Sequence, residues 1–233
     1  MNKKTDLEEL VKQGLLLKFT DTDEHAKDVA NGLYMHTPLY YRTHGGKGVN
    51  DIEELDDTYP IWCATFIQNI HNNIALGYDP ELGCICELHG DIKNDVIKLM
   101  QGDTEFDAMG NYVAIIFKPN EYIGEIIKSL YSFNLKLGGY YYKGWMPAEF
   151  GSVSYGKQSQ NHPKLFKSDK RYEYQHEFRL RLNMNANKGC ENKELNLIKH
   201  LNIGYENIGV HKCSDIIDYY EKTGKVVFPI QMV

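Results

Sequence analysis

The sequence predicts one α+β domain over residues 1–233, built on a mixed, mainly antiparallel sheet with short helices against it, and with residues 1–14 as an N-terminal helical appendage. Three observations lead there. Strand-like and helix-like segments alternate irregularly along the chain, with no linker, repeat or low-complexity tract between them. Several strand-like runs follow one another as hairpin-like pairs, as at Gly139–Trp145 and Ser152–Tyr155. The segment from Arg171 to Leu182 alternates apolar and polar side chains for twelve residues, the period of a half-buried strand.

Taken in order, Thr5-Asp6-Leu7-Glu8 has the form of a capping box opening a helix through Gln13, and Gly14 ends it. Leu15 to Phe19 is a short strand. Asp21 or Thr22 caps a helix with Ala26, Val29 and Ala30 on one side, and Gly32 suits its left-handed C′ position. Leu33–Tyr41 is extended and interrupted by Pro38, after which residues 43–60 form a glycine-rich, then acidic, loop. Ile61–Ile67 and Gly83–Leu88 are strands. Asp91 caps a helix whose stripe is Ile92, Val96, Leu99 and Met100. The apolar run Tyr112–Phe117 is a central strand. Asn120 caps a helix from Glu121 to Tyr131 with Ile123, Ile126, Ile127 and Leu130 inward. After the strand Arg171–Leu182 come a helix near Glu191–Leu201, a strand at Ile203–Val210, a Ser214-capped helix ending at Gly224, and a last strand from Lys225 to Met232.

Composition narrows the function classes. A net charge of −6 argues against the whole surface binding a polyanion, although a local basic groove, such as Lys157–Arg171, is compatible with it. No apolar run reaches the roughly 18 residues of a membrane span, and the start Met1–Gln13 has no apolar core of a signal peptide, so a cytoplasmic location is expected. The five cysteines are scattered and odd in number, which speaks against a disulfide framework; Cys84-x-Cys86 has no partner pair for zinc, so no metal site is expected. Seventeen tyrosines against nine phenylalanines supply ring area with hydroxyls, a surface suited to gripping ligands or partners, or reflect an AT-rich coding bias.

Five segments carry polar groups worth weighing. On a continuous strand Arg171–Leu182, Gln175 and Glu177 stand side by side on one face, about 7 Å apart, with Arg179 flanking the carboxylate; the plain alternative is a solvated face. Ser152-Val153-Ser154 places both hydroxyls on one face of a short strand and Tyr155 on the other. Lys18 ends the first strand just before a helix cap, where a lysine can meet a phosphate. Tyr40-Tyr41-Arg42 precedes the loop Gly45–Gly48, which lacks P-loop spacing. The acidic run Asp51, Glu53, Glu54, Asp56 and Asp57 fits no EF-hand.

The order of these motifs resembles a domain family of unknown function found in bacteria and phages. The resemblance covers residues 15–210 and rests on Lys18-Phe19, Gly32-Leu33-Tyr34, Asn50-Asp51 with Glu53-Glu54, Val113–Phe117, Val153–Tyr155 and Glu177-Phe178-Arg179, with Ile52 standing where proline is usual. The layout is also similar to ADP-ribosyltransferases of the Arg–Ser–Glu type, which use a first-strand basic residue, a Ser-x-Ser strand and a Gln/Glu-x-Glu pair. Ser152–Ser154 and Gln175–Glu177 match the last two; the first falls to Lys18 or Arg42, since no arginine stands on the first strand.

That similarity implies an ADP-ribosyltransferase-like fold and use of NAD⁺ to modify a macromolecular acceptor, as a toxin or a factor in phage–host conflict. Glu177, Gln175 and Ser154 are then the catalytic candidates. Lys18, Arg42, Ser152, Tyr155 and Arg179 are the NAD⁺-binding candidates. Two other readings stay open: a non-catalytic binding or inhibitor protein of mobile-element origin, and a nucleic-acid-processing enzyme working through Lys157–Arg171.

Overall fold

The computed structural model describes residues 3–35, 61–67, 73–131, 134–137, 140–143, 148–156, 166–167, 170–183 and 199–230. It is a mixed α/β structure of short helices and antiparallel sheets. Helix α1 (Lys3–Val11) leads to strand β1 (Leu15–Thr20), then α2 (Asp23–Asn31), β2 (Gly32–Met35), β3 (Ile61–Ile67), and the hairpin β4 (Ile74–Asp79) and β5 (Gly83–Leu88). Next come α3 (Ile92–Gln101), β6 (Tyr112–Phe117), α4 (Pro119–Tyr131), β7 (Asn134–Leu137), β8 (Tyr140–Lys143), β9 (Ala148–Ser152), β10 (Ser154–Tyr155) and β11 (Phe166–Lys167). A 3-10 helix (Lys170–Gln175), β12 (Glu177–Asn183), β13 (Lys199–Asn202), β14 (Ile208–Lys212), α5 (Cys213–Thr223) and β15 (Val226–Pro229) complete the described elements.

The main sheet has six strands in the order β14-β6-β1-β3-β12-β9, all antiparallel to their neighbours. A second sheet, β15-β5-β4, has three. The apolar runs of β1 and β6 become intelligible once both faces of the main sheet are seen to be covered. Leu16, Ala114, Ile116 and Leu180 meet Ala26 and Val29 of α2 and Tyr122 and Ile126 of α4 on one face. Leu15, Leu17, Phe19, Val113, Ile115 and Phe117 meet Cys86, Leu88, Val226 and Phe228 of the small sheet on the other, together with α3 and α5. The main sheet is thus the middle of three layers, so a strand with Leu at three successive positions has no polar face to show. Leu7, Leu10 and Val11 of α1 also pack against this second cluster, and Gln13 Oε1 accepts a hydrogen bond from the Asn120 amide at the start of α4.

Buried polar groups are paired where the layers meet. Tyr122 Oη donates to the Val29 carbonyl (3.1 Å) and Tyr205 Oη to that of Phe117 (2.8 Å), while the two rings meet edge-on at 5.1 Å. His211 on β14 joins the two sheets differently. Its ring donates to the Pro229 carbonyl on β15, while its Nε2 is buried without a hydrogen-bond partner among the described residues. Burial holds the imidazole pKa below its usual value, against a smaller opposing pull from Asp215. The folded state therefore keeps His211 neutral at a pH where the unfolded chain has begun to bind a proton. Its contribution is constant above about pH 6.5 and stability falls as the pH drops below that, by no more than about 1.4 kcal/mol per pH unit for one proton. Melting curves from pH 7.5 to 5.0 are expected to show a steeper loss for the parent than for His211→Gln; parallel curves would remove His211 from the acid response.

The structure corrects several expectations. Arg171–Leu182 is not one strand: residues 170–175 form the 3-10 helix, His176 takes a left-handed φ of 44°, and only Glu177 onward pairs in the sheet. Lys199–Asn202 pairs with β2 as a strand and does not continue a helix. The strand expected at Ile203–Val210 lies at Ile208–Lys212. Gly32 follows α2 in an extended conformation (φ 170°), starting β2 directly in place of a left-handed cap. Ile127 is 38% exposed, and Tyr122 takes the inward place on α4. Arg42, the Gly45–Gly48 loop, the acidic run 51–57 and most of Lys157–Arg171 lie outside the described residues.

Candidate functional site

The site is assembled from segments far apart in sequence: β10 through Tyr155 and the chain from Gln175 to Arg179, with Lys18 of β1 coupled to them electrostatically. Strand β12 lies between β3 and β9, with Glu177 opposite Ile67, Phe178 opposite Ser152 and Arg179 opposite Gly151. Phe178 and Leu180 point into the core cluster under α2 and α4, so alternation directs Glu177 and Arg179 to the other face of the sheet.

On that face the two charges are buried together. Glu177 is 5% exposed and Arg179 7%, and Arg179 Nη2 donates to Glu177 Oε2 at 2.5 Å. The reading of this stretch as a solvated strand face is thereby excluded for both residues. Gln175, at 1% exposure, is deeper still, but it belongs to the 3-10 helix and not to the strand. Its adjacency to Glu177 comes from the turn at His176 and not from a period of two.

The main chain around Glu177 is held on both sides. Its carbonyl accepts from the Val153 amide (2.8 Å), and its own amide donates to Tyr155 Oη (2.9 Å). Burial, then the neighbouring Glu177 charge, raises the Tyr155 phenol well above its ordinary pKa, so the hydroxyl stays protonated. Lys18 is partly buried on β1. Burial pushes its ammonium down to about 8, and the Glu177 carboxylate resists that shift, which places the two in one electrostatic field. At neutral pH Lys18 therefore keeps most of its charge.

Below this group the 3-10 helix is packed against α3 by aromatic and charged contacts. Phe106 meets Tyr172 (5.2 Å) and Tyr174 (5.5 Å), and Lys98 Nζ lies 4.1 Å from the Tyr174 ring centroid. His176 Nε2 and Asp95 Oδ2 are 2.7 Å apart. Gly156, at φ 100°, lets the Lys170 side chain lie against the backbone where a Cβ would come within 2.7 Å of it.

The structure thus brings Tyr155, Gln175, Glu177 and Arg179 to one stretch of the sheet. Lys18, paired with Ala114 and alternating with Leu17, belongs to the opposite face and is coupled to Glu177 through charge. The structure does not bring the serines to the carboxylate. Ser152 shares the ladder position of Phe178 and so belongs to the opposite face; Ser154 is exposed and starts the two-residue parallel pairing with Phe166. Tyr155, expected on the far face of a Ser152–Tyr155 strand, instead reaches Glu177, because that strand breaks at Val153. His176 and Asp95 were not visible as site residues: the alternation assigns His176 to an apolar face, and no sequence signal links it to a residue 81 positions away.

Among the described residues no group of three or more His, Cys, Asp or Glu side chains could hold a metal ion, and no helix is long and apolar enough to cross a membrane. No protein-family model, curated protein or solved structure matches the chain.

Proposed function

We propose that the chain is an ADP-ribosyltransferase-like protein that uses NAD⁺ as substrate and transfers its ADP-ribosyl group to a macromolecular acceptor. The observation that carries this reading is the buried Glu177 carboxylate, paired with Arg179, its main-chain amide bonded to Tyr155 from a separate segment, and felt electrostatically by Lys18 of β1. In such a transfer the bond between nicotinamide and ribose breaks, nicotinamide leaves with the electron pair, and positive charge develops on the ribose. A preorganised carboxylate stabilises that charge most where water is excluded, as it is around Glu177. Lys18 acts on the pyrophosphate through its charge, from the opposite face of the sheet, and Gln175 supplies an amide to orient the acceptor nucleophile. The duty of holding the carboxylate, which the similarity assigns to a serine, falls here to Arg179, with Tyr155 fixing the main chain beside it.

A second reading has its own observation. The Glu177–Arg179 pair is buried deeply enough to serve the sheet alone, and the chain would then be a non-catalytic binding protein of mobile-element origin. One pair of measurements separates the two. If NAD⁺ binds the folded chain, a concentration a hundred times its Kd stabilises it by about 2.7 kcal/mol, or roughly 5–10 °C in Tm for a chain of this size. Labelled NAD⁺ should also release nicotinamide at a rate proportional to protein. No Tm shift at millimolar NAD⁺ and no nicotinamide release would overturn the transferase reading in favour of the binding protein.

A further inference from the structure

The residue just before the buried carboxylate has the least comfortable backbone near the site. His176 is one of two non-glycine residues with positive φ among those described, at 44°. This is the left-handed region, which an L-residue adopts only when its surroundings impose it. Three contacts impose it. The His176 amide donates to the Glu173 carbonyl (3.1 Å), closing the 3-10 helix. The next amide, that of Glu177, donates to Tyr155 Oη (2.9 Å). The ring itself reaches across to α3, where Nε2 meets Asp95 Oδ2 at 2.7 Å, both side chains about one-third exposed.

We infer that Asp95 and His176 form a positioning couple, a latch from α3 that holds the left-handed turn and so sets where the carboxylate of Glu177 stands. The geometry follows directly. With an extended residue at 176, the 3-10 helix would run on into the strand, and Gln175 and Glu177 would share a face as the sequence pattern suggests. With the left-handed residue, the chain turns at that point. Gln175 ends the 3-10 helix as a buried residue, Tyr174 before it packs against the core cluster that holds α3, and Glu177 enters the sheet as the first residue of β12. Asp95 touches neither Glu177 nor its partners in any described contact, so it acts through His176. The role adds to the proposed transferase chemistry but does not need it to be tested.

The test is amide hydrogen exchange by NMR on the whole chain without NAD⁺. The Glu177 and Val153 amides report the held turn, and the Ile115 amide on the central strand β6 is the control. Asp95→Ala is expected to speed exchange at Glu177 by about tenfold or more and leave Ile115 within about twofold. Asp95→Asn, which keeps an oxygen to accept from the imidazole, should restore most of the protection. His176→Gly accepts the left-handed φ without strain but has no ring to latch, so it should fold as stably as the parent and still exchange fast at Glu177. Unchanged exchange in Asp95→Ala, or Asp95→Asn no better protected than Asp95→Ala, overturns the couple. If the parent turns over NAD⁺, Asp95→Ala should lower kcat about tenfold with KM little changed. If the parent does not, the transferase reading falls, and the amide results still decide the latch.

Discussion

Glu177→Gln is expected to lose turnover and stability together, and the two losses have different origins. In turnover, removing one preorganised charge from a developing cation costs about 10²–10³-fold, roughly 3–4 kcal/mol. In stability, the variant leaves the Arg179 guanidinium, 7% exposed, beside a neutral amide. Breaking a buried pair by removing one partner typically costs about 3–5 kcal/mol, because a charge is left without compensation in a medium that solvates it poorly. Arg179→Ala should also be destabilised, since it takes the paired guanidinium from a buried carboxylate. The double variant Glu177→Gln with Arg179→Met removes both charges and keeps the volume, so its stability should recover much of the loss while turnover stays low. A double-mutant cycle of melting temperatures therefore isolates the pair, and NAD⁺ turnover measured well below each variant's Tm isolates the chemistry. Single variants as stable as the parent would show that the pair is not buried as described. A folded Glu177→Gln with undiminished turnover would remove the carboxylate from the reaction.

How far the sequence revealed this arrangement depended on which physical signal was strongest in each segment. Strands β1 and β6 are legible because a short apolar run with no polar side fits a strand covered on both faces, and Leu15, Leu16 and Leu17 are all at 0–1% exposure. Helix α3 is legible from its stripe and α5 from Gly224, which takes the left-handed cap at φ 70°, although α5 starts at Cys213 and so holds the expected cap Ser214 inside it. Strand β4 was not, because its outward positions are Ala75, Gly77 and Tyr78, small or aromatic residues that break the apolar–polar alternation a half-buried strand shows. The turn after it is closed by Asp79, whose Oδ1 accepts from the amides of Glu81 and Leu82 just past Pro80. The segment around the carboxylate misled in the opposite way. Its alternation is regular, yet Tyr172 and Gln175 are buried at a spacing of three, the period of a 3-10 helix, and an aromatic cluster with Phe106 overrides the local pattern. Gln175, Glu177 and Arg179 are all buried, but not through the period of two from which the sequence grouped them. The partners that hold them, Tyr155 and the latch from Asp95, come from contacts that no local pattern encodes.

The second large effect expected is at Gly110, a residue that no motif singles out. Gly110 is buried just before β6, at φ 158°, where the chain passes against the end of β1. A Cβ built there would lie 2.5 Å from the Thr20 carbonyl oxygen, 2.8 Å from its carbon and 2.9 Å from its nitrogen. All three are backbone atoms, so no side chain can swing away to make room. Relief requires β1 and β6 to separate at the register Thr20↔Tyr112, the end of their ladder and two residues from Lys18. Gly110→Ala therefore combines an unfavourable φ with a main-chain overlap, and about 3 kcal/mol or more of destabilisation is expected, roughly 6–12 °C in Tm. Gly224→Ala is the matched control. It too has a left-handed φ of 70°, but nothing lies within 4 Å of its Cβ, so it should cost only the conformational term of about 1–2 kcal/mol. The difference between the two variants measures the close approach of strand to strand. It bears on the site as well, because parting β1 from β6 displaces Lys18 from the field of Glu177. Gly110→Ala should thus lose affinity for NAD⁺ by more than Gly224→Ala, even at temperatures where both are folded. Equal Tm losses in the two variants would mean that β1 and β6 are not in the tight contact from which this effect is argued.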